Sequence, residues 1–486
     1  LESPAEDRVR KLVDISDAMG LSILAARPVV LSSLHGTATL PNILALRGGA
    51  ASGLVGSTAS LTKNIMGIGV LTIAAGIAAG TGPGLAAIAM AVTTFIAAYT
   101  FSLLGDVCQA GDFGTSCAFE KLWTSTLGAG SAWLPQASIG CLTFCICSVY
   151  LICLGELLPP LLTLFGVPAR LRSRRASVLL AAAATFPLCL RRSLAGLEFS
   201  SYLGVAAILY TAAFSLMRWM DGTYSESGKF YDRMPVHLRA RFPDSKASDG
   251  GLWKASPQTA VLFANLGVAL CAHFNAPSFY RTLKDASSFR FRLLTYGSFG
   301  LVLLLSYLIV YPGYLTFGAS SQPLILTNYH PTDDKPATLA RIATATSLMC
   351  SFPIIFAALR ESVLPALTPL LSQTRVGSVL ALSNAMSSNS IRELSWWVAT
   401  TMLPSLALAL ALALDDLGLA VGVLGSVLGG AIMYVFPPAI HLVQLTKAGG
   451  EASFGRVAAI VADAALLLYG VIGQMAYGTY ITVRQA

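Results

Sequence analysis

The stretch Leu61-Thr-Lys-Asn-Ile-Met-Gly-Ile-Gly-Val-Leu-Thr-Ile-Ala-Ala-Gly76 lies in an apolar run of membrane-spanning length, yet it carries Gly67 and Gly69 at its centre and Lys63 and Asn64 just before them. Glycine weakens a helix, and a break at membrane depth frees backbone N–H and C=O groups. Lipid offers those groups no partner, so they are tolerated only when buried in protein or lining a polar cavity. A helix broken at mid-bilayer therefore points to a ligand or ion site of a transporter. The competing account is a glycine face on which helices pack closely, and this stretch alone leaves both open.

Composition decides the class. The chain has 486 residues, 55% hydrophobic and 12% charged, with a mean hydropathy of +0.68. Soluble domains carry about 25% charged residues, so this is an all-α polytopic membrane protein. Residues 1–49 are charged first, then mildly apolar around Leu21–Leu34, which is too short to span and is interrupted by Arg27 and Pro28. They read as a cytosolic or interfacial tail and lack the order of a signal peptide. The net charge of +8 sits in loops; it predicts contact with anionic lipid and argues against nucleic acid. The nine cysteines fall mostly in apolar runs, four of them at Cys141, Cys145, Cys147 and Cys153. Without His or carboxylate partners at metal spacing they read as small apolar side chains rather than zinc ligands.

At about 20 apolar residues per span, eleven spans are expected: Ala50–Ala79, Leu85–Val107, Leu134–Phe165, Ser177–Leu190, Ser200–Trp219, Pro257–Phe279, Leu293–Phe317, Ala337–Leu359, Ser395–Leu414, Leu417–Leu445 and Val457–Val483. The first repeat would cover 50–219, the second 257–445, with an extra span at 457–483. Span 6 resembles span 1 in kind, because Leu270-Cys-Ala-His-Phe-Asn-Ala-Pro-Ser-Phe-Tyr280 places His273, Asn275 and Pro277 inside an apolar run. Proline removes a donor and disrupts the preceding turn. Interrupted helices at corresponding positions of two halves point to an inverted-repeat transporter and its binding site. In span 8, Thr344, Ser347 and Ser351 follow i, i+3, i+7 spacing and share a face ahead of Pro353. Their hydroxyls either bond back to their own helix or offer oxygen to a small cation. A small Lys/Arg excess favours an inside N-terminus; the cluster Arg170, Arg172, Arg174 and Arg175 runs against it.

These residues resemble the amino acid/auxin permease family, and within it the sodium-coupled neutral amino acid transporters. Asn64-Ile-Met-Gly-Ile-Gly-Val-Leu71 is similar to that family's span 1 signature, and Ala272-His-Phe-Asn-Ala-Pro-Ser-Phe-Tyr-Arg-Thr-Leu-Lys-Asp285 to its span 6 stretch. Gly313-Tyr-Leu-Thr-Phe-Gly318, the Pro353 to Arg360 spacing and Phe436-Pro-Pro-Ala-Ile440 resemble its motifs on spans 7, 8 and 10. The resemblance implies a leucine-transporter-type fold with an inverted 5+5 repeat plus span 11, and alternating access. It implies a substrate carboxylate near the N–H groups of Ile68, Gly69 and Val70, and a substrate ammonium near carbonyls of Ile65, Met66 and Cys271–Phe274. Gly67 and Gly69 would let the ligand approach the backbone. Cys147, Tyr150, His273 and Asn275 are expected around the pocket. Ser351 matches the family's span 8 sodium ligand, with Asn64 and Ser347 as further candidates.

One departure matters. Four residues before Gly67 the sodium-coupled members carry asparagine, and this chain carries Lys63. An ammonium near Ser351 would occupy the sodium position; the alternative is that Lys63 extends to the membrane surface. The expected function is a secondary active amino acid transporter, a symporter coupled to sodium or protons or else sodium-independent, with no bound cofactor, acting as a monomer in a plasma or vacuolar/lysosomal membrane. The alternative is an amino acid sensor with little flux. Gly-x-Ser-Gly and paired intramembrane aspartates are both missing from the spans, which argues against an intramembrane enzyme. Glu156 and Asp463 are isolated acids in spans 3 and 11, suited either to proton relay or to a buried hydrogen-bonded role.

Overall fold

The computed structural model describes residues 53–67, 69–111, 118–190, 198–242, 251–373, 388–414, 416–447 and 454–485. The tail expected over 1–49 and the candidate Ile68 lie outside them. Among the described residues nine helices are long and apolar enough to cross a membrane, and a bent pair supplies a tenth crossing. That pair is α1 (Leu54–Ile65) and α2 (Gly69–Ala78), which meet at 51°. Then come α3 (Pro83–Ala110), a short α4 (Phe119–Leu127), α5 (Trp133–Leu164), α6 (Arg174–Cys189) and α7 (Glu198–Met220). The second half opens with another interrupted pair, α8 (Thr259–Ala269) and α9 (Ala276–Thr282). It continues through α10 (Ser288–Phe317), α11 (Lys335–Ser372) and α12 (Ser388–Ala413). The next crossing runs from α13 (Leu417–Leu424) through two wide turns to α14 (Phe436–Lys447). The last runs from α15 (Phe454–Leu468) to α16 (Thr479–Gln485). The interruptions fall in the first and sixth spans, five apart. This order is the one expected of a leucine-transporter-type fold.

The fourth span is α6, whose 16 residues rise only about 24 Å, short of the roughly 30 Å hydrocarbon core. Span 8 departs the other way: helix continues to Ser372, through Pro353, Pro365 and Pro369, where the sequence reading stops at Leu359. α4 was not foreseen. Its Phe119, Leu122, Trp123 and Thr126 are buried at helical spacing, with Trp123 edge-on to Phe436 at 5.2 Å. Lys447 Nζ donates to the Ser125 and Thr126 carbonyls at 3.1 and 2.8 Å, closing the C-terminal end of α4 with positive charge.

Membrane-facing surfaces carry exposed large apolar side chains, among them Phe95 on α3, Leu304 on α10 and Val461 on α15. Inside, α8 is flanked by glycines. A Cβ at Gly69 would stand 2.6 Å from the Ala269 Cα, and one at Gly76 3.0 Å from the Leu262 Cα. From the other side, a Cβ at Gly429 would stand 2.7 Å from the Gly267 carbonyl oxygen. Backbones therefore approach without side chains between them, as in membrane helix pairs. The wide turns Gly425–Gly429 and Ala431–Val435 precede Pro437 and Pro438. These prolines remove the donors for the Met433 and Tyr434 carbonyls, and π-type pairing takes up the slack.

The arginine cluster has a local role. Arg172 Nε donates to the Val167 carbonyl just beyond α5 at 2.5 Å, and Arg174 Nη2 to the Leu414 carbonyl beyond α12 at 2.7 Å. Guanidinium groups thus close two helix C-termini. Where spans 7 and 8 join, buried Asp334 caps α11 by accepting from the Ala337 N–H at 3.1 Å. It also accepts from Arg218 at 2.6 and 2.9 Å and from the Tyr224 hydroxyl at 2.8 Å. Arg341, 1% exposed, donates to the carbonyls of Leu326, Tyr329, His330 and Pro331 at 2.6–3.1 Å. Gly318, at φ 57°, ends α10 in the left-handed region that favours glycine, and Arg241 bridges to it from the span 5–6 loop. In that loop burial would raise the Asp221 carboxyl, but hydrogen bonds from Thr223 and Arg218 outweigh it and hold the group below the usual carboxylate range.

Candidate functional site

The first helix stops at Ile65. The Met66 N–H still reaches the Thr62 carbonyl at 2.8 Å, while the Gly67 N–H turns back to the Ile65 carbonyl at 2.7 Å. With Met66 at φ −71° and ψ 70° this is an inverse γ-turn. It leaves the last carbonyls of α1 and the first N–H groups of α2, at Gly69, Val70 and Leu71, without partners inside their own helices. Ile65, Met66 and Val70 bury their side chains in the core, so only their backbone is left for a ligand. In the sixth span α8 ends at Ala269, Cys271 and Ala272 are non-helical, and a single 3-10 turn, His273–Asn275, leads into α9. Pro277 occupies the first turn of α9, where its missing N–H costs nothing. Both interruptions expected from glycine in one span and His-x-Asn-x-Pro in the other are present.

The two breaks touch. Asn275 Nδ2 donates to Asn64 Oδ1 at 3.2 Å, so two candidate site residues bind one another. Tyr150 on α5 aims its hydroxyl at the first break: a Cβ at Gly67 would stand 3.5 Å from it. Gly67, Cys271 and Phe274 are half-buried there. Gly69 has a different surrounding from the one expected, since its face is filled by the Ala269 backbone. It serves helix contact as well as any role of its N–H.

The ring of one pocket candidate points elsewhere. His273 is fully buried, with Nε2 2.9 Å from Thr100 Oγ1 and 3.0 Å from the Ala97 carbonyl oxygen. A carbonyl only accepts, so Nε2 carries the hydrogen. The ring packs against Phe101 at 5.5 Å and Phe299 at 6.4 Å. The His273 side chain therefore faces α3 and α10, and only its backbone lies along the break. The non-helical stretch at Cys271–Ala272 lets the ring swing onto α3 and α10, tying the break to them. Cys147 is buried in the core. Among the described residues no three His, Cys, Asp or Glu side chains converge as a metal cluster.

Lys63 and Ser351, from spans 1 and 8, meet. Lys63 Nζ donates to Ser351 Oγ at 2.6 Å; the side chain crosses to α11 instead of extending to the surface. Ser347 lies one turn before Ser351 on the same face of α11. The intramembrane acid Asp463 is fully buried, accepts at 2.7 Å from His441 Nδ1, and receives the Tyr99 hydroxyl at 3.3 Å. Sequence reasoning singled out the acid but not its partners, which come from α14 and α3.

A profile of the family described as transmembrane amino acid transporter protein matches residues 51–483. The chain belongs to this family. Among curated members, a Danio rerio chain assigned by name to sodium-coupled neutral amino acid transporter 11 is 27% identical over 216 residues, 43% of each chain. Vacuolar amino acid transporter 7 of Saccharomyces cerevisiae is 25% identical over 326 residues, 65% of this chain and 59% of that one. Vacuolar amino acid transporter 2 of the same yeast is 21% identical over 317 residues, 63% and 60% of the two chains. The matches thus span about half of these relatives' length. Solved structures with similar helix arrangements include MhsT with L-phenylalanine (12% identity, TM-score 0.49, 88% of this chain and 97% of that one). A sodium-coupled sialic acid symporter in a substrate-bound outward-open state gives 14% identity, TM-score 0.48, and 90% and 92% coverage. As a member of this family the chain is an integral multi-pass membrane protein.

Proposed function

We propose that this chain is a secondary active transporter that carries amino acids across its membrane by alternating access, with the Lys63 ammonium standing where sodium-coupled relatives place a metal ion. The observation that carries the reading is the meeting of two interrupted helices, joined by Asn64 and Asn275 and faced by Tyr150, next to the Lys63–Ser351 contact of 2.6 Å. The N–H groups that open α2 suit a substrate carboxylate, since a helix N-terminus carries partial positive charge. The carbonyls that end α1, and those at the break in span 6, suit the substrate ammonium. Family membership and the relatives' names support an amino acid as substrate. Both breaks belong to one chain, so a monomer holds the whole site.

Radiolabelled uptake in proteoliposomes tests the reading, with a panel of amino acids as competitors. Replacing sodium by choline is expected to leave uptake nearly unchanged, because the fixed ammonium already supplies the positive charge. A steep sodium requirement, the property in the Danio rerio relative's name, overturns the lysine part of the proposal. Uptake of no amino acid in the panel overturns the whole of it.

A further inference from the structure

Lysine is a long side chain to fit at a three-helix junction, and the junction has a gap of the right shape. Gly204, buried on α7, faces the Lys63 stem: a Cβ there would stand 2.5 Å from Lys63 Cε and 3.5 Å from Cγ. It would also stand 3.2 Å from Ser347 Oγ on α11. The glycine is thus the point at which α7 leaves room for a side chain of α1 to reach the hydroxyl of α11. Any side chain at 204 and the lysine stem compete for one volume, and at 2.5 Å it is the flexible stem that must shift.

We propose that Gly204 is a specificity-determining positioning residue: it admits the Lys63 stem between α7 and α11, and so sets the site to hold an internal ammonium rather than a metal ion. This rests on the reading of Lys63 as the resident cation. The logic is steric first and electrostatic second. An ammonium is a compact charge on a flexible stem, with three donors to place. It reaches Ser351 only if the methylenes have a path, and Gly204 is the path. With a side chain at 204 the stem must move off this path, and the hold of the ammonium on Ser351 weakens with that movement.

The experiment is a set of paired substitutions in the full chain, read by the unfolding midpoint in detergent and by proteoliposome uptake in sodium or choline. Gly204→Ala in the native background is expected to lower both the midpoint and the uptake. In the Lys63→Asn background, where the stem is shortened, the same change is expected to leave the midpoint unmoved. In the Lys63→Met background, where the stem persists without its charge, it is expected to lower the midpoint again. An equal loss in all three backgrounds makes Gly204 an ordinary helix-packing glycine and overturns the proposal, as does no loss in any. The uptake arm keeps the parent reading separate. Sodium-stimulated uptake that appears with Lys63→Asn but not with Lys63→Met supports the ammonium as the cation. A sodium requirement in the native protein overturns that reading, and the cation role of Gly204 with it, whatever the midpoints show.

Discussion

Gly67 and Gly69 are two residues apart in sequence and differ in what surrounds them, and this difference predicts opposite outcomes for the smallest substitution. A methyl at 69 would meet the Ala269 Cα at 2.6 Å and its nitrogen at 2.8 Å. Both are backbone atoms of a helix end. Reaching ordinary contact distance needs α2 and α8 to part by roughly 1 Å, an overpacking penalty of about 1–3 kcal/mol. A methyl at 67 would meet only the Tyr150 hydroxyl at 3.5 Å and the Ile65 carbonyl at 3.9 Å. It fits, but it fills the gap between the hydroxyl and the turn. Gly69→Ala should therefore lower the unfolding midpoint, and Gly67→Ala should keep it. Gly67→Ala should instead weaken stabilisation by added amino acid, with a rise in Kd of about tenfold or more, equivalent to ~1.4 kcal/mol. Purified protein titrated with amino acid in a thermal-shift assay measures both. Unchanged ligand stabilisation in Gly67→Ala would refute the placement of substrate between Tyr150 and the break. An unchanged midpoint in Gly69→Ala would refute the packing argument.

Three further outcomes follow from other contacts. His441→Ala should destabilise by about 1–3 kcal/mol, the usual cost of leaving a buried polar group without its hydrogen-bond partner. Adding Asp463→Asn should recover much of the loss in denaturant unfolding; a loss no larger than that of an exposed substitution would show that the pair is not coupled. Arg341→Lys should loosen the span 7–8 connection by about 2 kcal/mol, since one ammonium cannot replace a guanidinium that serves four carbonyls. Hydrogen exchange over residues 325–331 should speed up, and unchanged protection there contradicts the role. Asp221 has a depressed folded pKa, so its contribution is complete above its unfolded value of about 3.9 and fades as pH falls below that. The stability difference between native protein and Asp221→Asn should be flat from pH 5 to 8 and shrink only in stronger acid; a change near neutrality would point to another group.

What could be read in advance was whatever depends on local chemistry and register. Glycine in span 1 and proline in span 6 break helices wherever they stand, so both interruptions were legible. Counting back from Gly67 put a lysine at the height of Ser351, and the side chain does reach it. Directions around the breaks were not legible. A non-helical stretch has no fixed face, so nothing in His-Phe-Asn told that His273 would turn to Thr100 while Asn275 met Asn64. Span 8 reads as ending at Leu359, where about 20 apolar residues are used up, while the helix itself runs on through Pro365 and Pro369 to Ser372. Helix α4 was missed although its apolar spacing is present, because nine residues between two long spans read as loop. The partners of Asp463 come from other helices, His441 from the preceding one and Tyr99 from one distant in sequence, and no periodicity within a helix reports such pairings.

The glycines on either side of α8 bear on how this protein tolerates change. Alanine is ordinarily the mildest replacement, the one used to erase a side chain without disturbing anything else. Along Gly69 and Gly76 on one flank and Gly425 and Gly429 on the other, the added methyl would meet main chain or tightly packed neighbours rather than a yielding side chain. In a complete substitution scan this helix should thus be outlined from outside, as a band where even alanine is rejected, while positions on the lipid-facing surface accept almost any apolar residue. Such an outline would locate the element in the bilayer from growth or uptake data alone, without a structure.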